Sequence, residues 1–300
     1  MIRWVFVCCL GLGFWSARAA GAAENYAGEL VAQIKQANPE VLGATISATA
    51  PKSSGVVVVA SNDRVAPGSA ADPVDIAALT QGVLSKIDEK AGRIVVHLPL
   101  QDVSGDTAGA LRLSFAYRSG TDTEAVGHKA AQIREWLHRR VSHAGNLFDP
   151  VPYERDAPDA HTYAQQLVEE FMRKYPEIEI FVIHATPPES DYNVIAGSNI
   201  GRLGKKADND DMRCIFTGKP NLEVNSTGKR FESEMPLHDR KGQVIGALGV
   251  VVAYKTGDDK QALFKHADEI RVVLEKQIPD SQSLFRAGST SPAGAPKPGG

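Results

Sequence analysis

The chain of 300 residues contains one segment twice. At an offset of 137, Pro99-Leu100-Gln101-Asp102 falls on Pro236-Leu237-His238-Asp239, Gly109-Ala110-Leu111 on Gly246-Ala247-Leu248, and Ala116-Tyr117 on Ala253-Tyr254. Between Leu98 and Phe148, 18 of 51 positions match their partners without a gap. The agreement reaches upstream, to Pro39-Glu40 with Pro176-Glu177 and Ser61-Asn62 with Ser198-Asn199. Each copy is longer than the roughly 20–50 residues of a solenoid unit and has the size of a domain. The sequence therefore predicts two homologous domains in tandem, 24–150 and 151–287, joined by an extended linker at the proline-rich stretch 149–158. Residues 288–300 carry nothing apolar larger than alanine or proline and read as a disordered tail.

Composition narrows the class without naming a chemistry. Lys and Arg number 33 against 36 Asp and Glu, a formal net charge of −3. That balance excludes a nucleic-acid groove and a polybasic membrane-surface protein. Hydrophobic residues at 43% and charged residues at 23% suit a cored, globular chain. At the N-terminus, Arg3 precedes an apolar run from Trp4 to Trp15, followed by small residues that offer cleavage after Ala19 or Ala23. These are the parts of a secretory signal, residues 1–23, and the run is short of the roughly 20 residues a spanning helix needs. The expectation is a periplasmic or secreted protein with no membrane span in its mature chain. Cys8 and Cys9 leave with the signal, so the mature chain keeps only Cys214.

Both copies predict one order of elements. In the second, a helical stripe over 163–175 is followed by β-rich runs at 178–185 and 192–196. A polar stretch, 201–219, contains a short helix at 210–217, and strands follow at 222–225, 229–237 and 244–255. A helix at 260–277 closes the copy. The first copy predicts helices at 27–38 and 124–141 around strands at 41–48, 55–60, 92–100 and 109–118. Helices and strands do not alternate, so the fold class is α+β with a central antiparallel sheet flanked by N- and C-terminal helices, not a wound parallel sheet.

Two motifs carry a resemblance. Ser198-Asn199-Ile200-Gly201-Arg202-Leu203-Gly204-Lys205-Lys206-Ala207-Asp208 follows a strand, and Pro236-Leu237-His238-Asp239-Arg240-Lys241-Gly242-Gln243-Val244-Ile245-Gly246-Ala247-Leu248 forms a hairpin. The second copy resembles the extracytoplasmic PAS-like sensor domains called Cache or PDC domains over nearly its whole length. The first resembles them more loosely, through Ser61-Asn62, Gly68, Ala71-Asp72 and its own hairpin. The resemblance implies small-molecule sensing outside the cytoplasm. Such domains commonly hang between two membrane spans with an output domain inside. Neither is seen in this sequence, so the expected module acts on a membrane receptor or sensor protein.

In that family the ligand lies on one sheet face beneath the long loop. This implies ligand-binding roles for Asn199, Arg202, Lys205, Asp208, Asp211 and Arg213 in the loop, and for His184 on the first strand. The residues also admit plainer roles. Asn199 and Asp208 suit turns, Arg202 and Lys205 suit a solvated surface, and a strand histidine is commonly a hydrogen-bonded core residue. Arg213, inside a short helix beside Cys214, is expected to face inward and grip an anionic small molecule, since arginine offers a planar fork. Glu232 and Glu234 share a strand face and are expected to face solvent. The sequence holds no H-E-x-x-H, G-x-S-x-G or phosphate-binding glycine loop, and Cys214 reads as a buried apolar residue. The arginine-tryptophan-tyrosine pattern of amino-acid-binding members is not recognisable. The expectation is a non-catalytic ligand-binding protein without a cofactor, the second domain being the binder. The alternative is a ligand-free accessory subunit for an outer-membrane receptor or sensor kinase.

Overall fold

The computed structural model describes residues 25–154, 157–158 and 161–288. The expected export signal, the tail from 289 onward and the linker positions 155, 156, 159 and 160 lie outside the described residues. The chain runs α1 (Tyr26–Ala37), β1 (Val41–Thr49), β2 (Val56–Ser61), α2 (Pro73–Gln81), β3 (Leu84–Asp88), β4 (Arg93–Gln101), β5 (Thr107–Ala116) and α3 (Thr123–His138), then a 3-10 turn, Ala144–Phe148. The same order returns as α4 (Tyr163–Lys174), β6 (Ile178–Ala185), β7 (Val194–Ser198), α5 (Asn209–Thr217), β8 (Asn221–Val224), β9 (Arg230–His238), β10 (Val244–Ala253), α6 (Lys260–Glu275) and the turn Ser281–Phe285. The sheets are ordered β2-β1-β5-β4-β3 and β7-β6-β10-β9-β8, antiparallel throughout. The fold is α+β, two PAS-like five-stranded units in tandem.

Alternation along the strands sorts the two faces. In the second unit Phe181, Ile183, Met235, Leu237, Leu248 and Val250 point to one side and are buried beneath Leu167 and Phe171 of α4 and Ile270 and Leu274 of α6. Leu98, Leu111 and Leu113 do the same beneath α1 and α3. The opposite face of each sheet is covered by one short helix, α2 over β4 and β5, and α5 over β9 and β10.

The best-kept residues of the repeat are backbone devices. A Cβ on Gly246 would sit 1.8 Å from the His184 carbonyl oxygen, and one on Gly109 would sit 2.3 Å from that of Ser47. Only glycine lets β10 and β5 approach so closely, beside the bulges that shift the hairpin registers. Asn62 and Asn199 each accept the N–H of the neighbouring strand, from Ala44 at 2.7 Å and Phe181 at 2.8 Å.

The joint between the units is more than an extended spacer. The Tyr26 hydroxyl donates to the Arg140 carbonyl (3.0 Å) and reaches the Asn199 carbonyl (3.4 Å). Arg139 donates to Met172 O (2.8 Å), and Arg140 pairs with Glu169 (2.8 Å). Arg230 on β9 crosses to Ser104, Asp102 and the Ser142 carbonyl. Among the described residues no helix is long and apolar enough to cross a membrane.

Candidate functional site

The residues after β7 do not form a lid. Gly201, Arg202 and Gly204 take positive φ angles of 71°, 65° and 84°, which turn the chain back on itself. The returning strand pairs along β7, with Ile195 N–H donating to Lys205 O, Gly204 N–H to Ile195 O, and Ala207 N–H to Asn193 O. Only the end of this segment, α5, reaches over the sheet. Asp208 is its N-cap, and Asp208 and Asp211 accept each other's backbone N–H in a capping box. That box fixes Asp211 in the first turn of α5.

Asp211 meets two sheet residues there. His184 Nε2 lies 3.4 Å from Asp211 Oδ1, and both side chains are largely buried. Glu234, on β9, is 5% exposed and shares a hydrogen bond with Asp211. Two carboxyl groups in one buried site cannot both ionise cheaply. Burial, the hydrogen bond to Asp211 and the charges of Asp211, Glu232 and Asp208 push Glu234 up to about 9. Burial also raises Asp211, but the hydrogen bond from Glu234, the His184 ring, the Asp208 N–H and Lys205 outweigh it and hold Asp211 below its ordinary value. Burial pushes His184 down against the pull of Asp211 and Asp208. At neutral pH the site therefore holds a protonated Glu234, an ionised Asp211 and a neutral imidazole. Cys214, one helical turn on, lies with its Sγ 3.6 Å from the Glu234 carbonyl oxygen. Burial and Glu234 push its thiol up to about 12, far from a reactive thiolate.

The structure separates the seven residues that the family resemblance implied. His184, Asp208 and Asp211 come together, with the half-buried Lys205 close enough to act electrostatically on His184 and Asp211. Asn199 and Arg202 stand at the domain junction instead. Asn199 Nδ2 donates to the carbonyls of Arg139 (2.8 Å) and Glu179 (2.9 Å), and Arg202 Nε donates to Asp149 (2.7 Å). Arg213 corrects the sequence reading. Its side chain is 56% exposed and is held outside by Asp210 (3.0 Å) and Asn221 (3.1 Å), because Arg213 lies one turn on from the exposed Asp210, on the outer face of α5, whereas Asp211 and Cys214 share the inward face. The expected grip on an anion is therefore not formed. Glu234 is the second correction. Alternation placed it and Glu232 on one face, which holds, but α5 covers that face at Glu234 and leaves Glu232 exposed. Alternation shows the face on which Glu234 lies, and the helix that roofs that face decides its burial. Among the described residues no group of three or more His, Cys, Asp or Glu side chains is placed to hold a metal ion.

The chain matches no protein-family model and no curated protein. Among solved structures it is similar to a GAF domain of A. aeolicus nlh2, at 20% identity over 38% of this chain and 80% of that one, with a TM-score of 0.30. PelD from Pseudomonas aeruginosa PAO1 aligns at 13% identity over 86% of this chain and 79% of its own, TM-score 0.28. A light-oxygen-voltage domain aligns at 17% identity over 33% and 93%, TM-score 0.21. The PAS-like architecture described above stands on strand order and element order.

Proposed function

We propose that this protein is an exported, non-catalytic small-molecule binding protein, built from two PAS-like domains of the Cache type and working through a partner protein. The ligand site lies in the second domain, between α5 and the open face of its sheet. One observation carries this reading: the Glu234 carboxyl is buried beside Asp211 on the face that α5 covers, with its Oε1 unpartnered, an arrangement that the packing of the core does not need. The inert Cys214 thiol supports a binding role over a nucleophilic one. Export is supported by the charged start, apolar run and small-residue exit of the N-terminal sequence.

A thermal-shift screen with cationic, neutral and anionic metabolites tests the reading. A ligand at 100 times its Kd adds about 2.7 kcal/mol of stability, and the gain should vanish in Glu234→Gln. No shift with any class would leave the ligand-free accessory subunit as the better account.

A further inference from the structure

The two sheets can be compared row by row through their registers. In the first, Thr45, Arg112 and His97 lie side by side across β1, β5 and β4. In the second, the same row is Val182, Gly249 and Glu234. The acids above the row are retained. Asp72 caps α2 as Asp208 caps α5, and Asp75 sits three residues beyond its cap as Asp211 does. In the first domain these acids are answered by an arginine and a histidine. The Arg112 guanidinium is 3.4 Å from Asp75 and 3.5 Å from Asp72 and donates to Thr45 Oγ1 at 3.3 Å, while His97 Nδ1 is 2.6 Å from Asp75. In the second domain glycine stands for the arginine and an acid for the histidine.

The exchange leaves room for a side chain at Gly249 and takes the arginine's charge away from the retained acids. A Cβ on Gly249 would meet nothing closer than Glu232 Oε1 at 3.7 Å and Val182 Cβ at 3.8 Å. Opposite Gly249 on β9, the buried Glu234 Oε1 meets no hydrogen-bond partner, and neither does Nδ1 of His184, two residues beyond Val182 on β6; both residues are more than nine-tenths buried. Resting on the binding site proposed above, we propose that it takes a small organic cation, an ammonium or guanidinium group seated over Gly249 where the first domain seats its own Arg112. An anion there would face Asp208, Asp211, Glu232 and Glu234 with Lys205 as the cation acting on the cluster, Arg213 being turned away. The carboxyl proton of Glu234 is the charge the site holds while empty of a cation. A cation that arrives displaces it to solvent, and the net charge of the site is unchanged. The groups facing Glu234 are Asp211 and Cys214 from α5, Asp208 at its cap and Glu232 from its own strand, with His184 of β6 reaching the same cluster through Asp211; β10 contributes no titratable side chain.

Calorimetry on the full chain with methylguanidinium and methylammonium, and with acetate and acetamide as controls, tests this. At least one cation should saturate, and at pH 7 titrations in buffers of different ionisation enthalpy should show up to one proton released per cation. Glu234→Gln keeps the shape of the site and should weaken binding about 10- to 100-fold and abolish proton release. Gly249→Arg should abolish binding and raise Tm, because it rebuilds the arrangement of the first domain; should that variant not fold, Glu234→Gln still decides. Failure of both cations to bind, or binding unchanged in Glu234→Gln, overturns the proposal. Binding of acetate or acetamide that Glu234→Gln removes would overturn the cation and retain the site.

Discussion

Asp75 and Asp211 occupy the same station, the third residue of the short helix that covers the open face of a sheet. Around Asp75 the first domain supplies charge and hydrogen-bond partners, His97 at 2.6 Å from Oδ1 and the Arg112 guanidinium 3.4 Å from an Oδ2 that makes no hydrogen bond of its own. Around Asp211 the second domain places another carboxyl and a neutral imidazole, and it removes the side chain from the centre of the row. Residues that the backbone requires are kept between the copies, among them Gly109 with Gly246 and Asn62 with Asn199. The row Thr45, Arg112 and His97 on the open face is replaced throughout. In a duplicated fold the shared motif marks architecture, and the mismatched row marks what one copy does that the other does not.

The comparison can be broken most severely from the first domain. Arg112→Met should cost about 3–5 kcal/mol, since it strips a charge partner from an Asp75 that is almost wholly buried; urea unfolding measures it, and a loss under 1 kcal/mol would mean that His97 alone satisfies the acid. The next effect lies in the second domain and depends on pH. Glu234 is raised in the folded state relative to an unfolded glutamate near 4.3. Its contribution to stability is thus complete below that unfolded value and is lost as pH rises through about 9. Between pH 6 and 8 stability should fall by up to about 1.4 kcal/mol per pH unit from this group, and Glu234→Gln should flatten that slope. A parent slope identical to that of the variant would remove the shared proton.

Smaller effects sharpen the contrast between the two asparagines. Asn62→Ala loses the bond from Ala44 and should cost about 1–2 kcal/mol. Asn199→Ala also loses the bonds to Arg139 and Glu179 and should cost roughly 1–2 kcal/mol more by the same denaturation assay. Arg213→Ala, on the exposed side of α5, should change stability by less than about 0.5 kcal/mol; a larger loss would return that arginine to the interior.

Much of this arrangement was legible in the sequence. The repeat and the period-two runs gave element order and class, and the strand expected at 178–185 has those bounds in the structure. Strand order was not legible, because alternation reports which side chains share a face and not which strands are neighbours. The first copy's α2 and β3 do not show in the sequence, since α2 is short and apolar without a helical stripe and β3 is a five-residue, mostly exposed strand. The same blindness explains Glu234 and Arg213. A strand pattern cannot tell a solvated face from one roofed by a distant helix, and a short helix beside one buried cysteine does not announce which way its arginine turns. Asn199 was read as a turn residue or a ligand contact; its work between two domains involves Arg139, sixty positions earlier.

The segment from Asn199 to Asp208 begins at the domain junction, where Asn199 is pinned to Arg139, and ends at the cap of the helix that bears Asp211. Between those anchors its backbone is bonded along β7, so there is little slack to absorb a displacement. The cap of α5 and the seam between the halves are thus the two ends of one short, bonded run of chain, like a stay rigged between two masts.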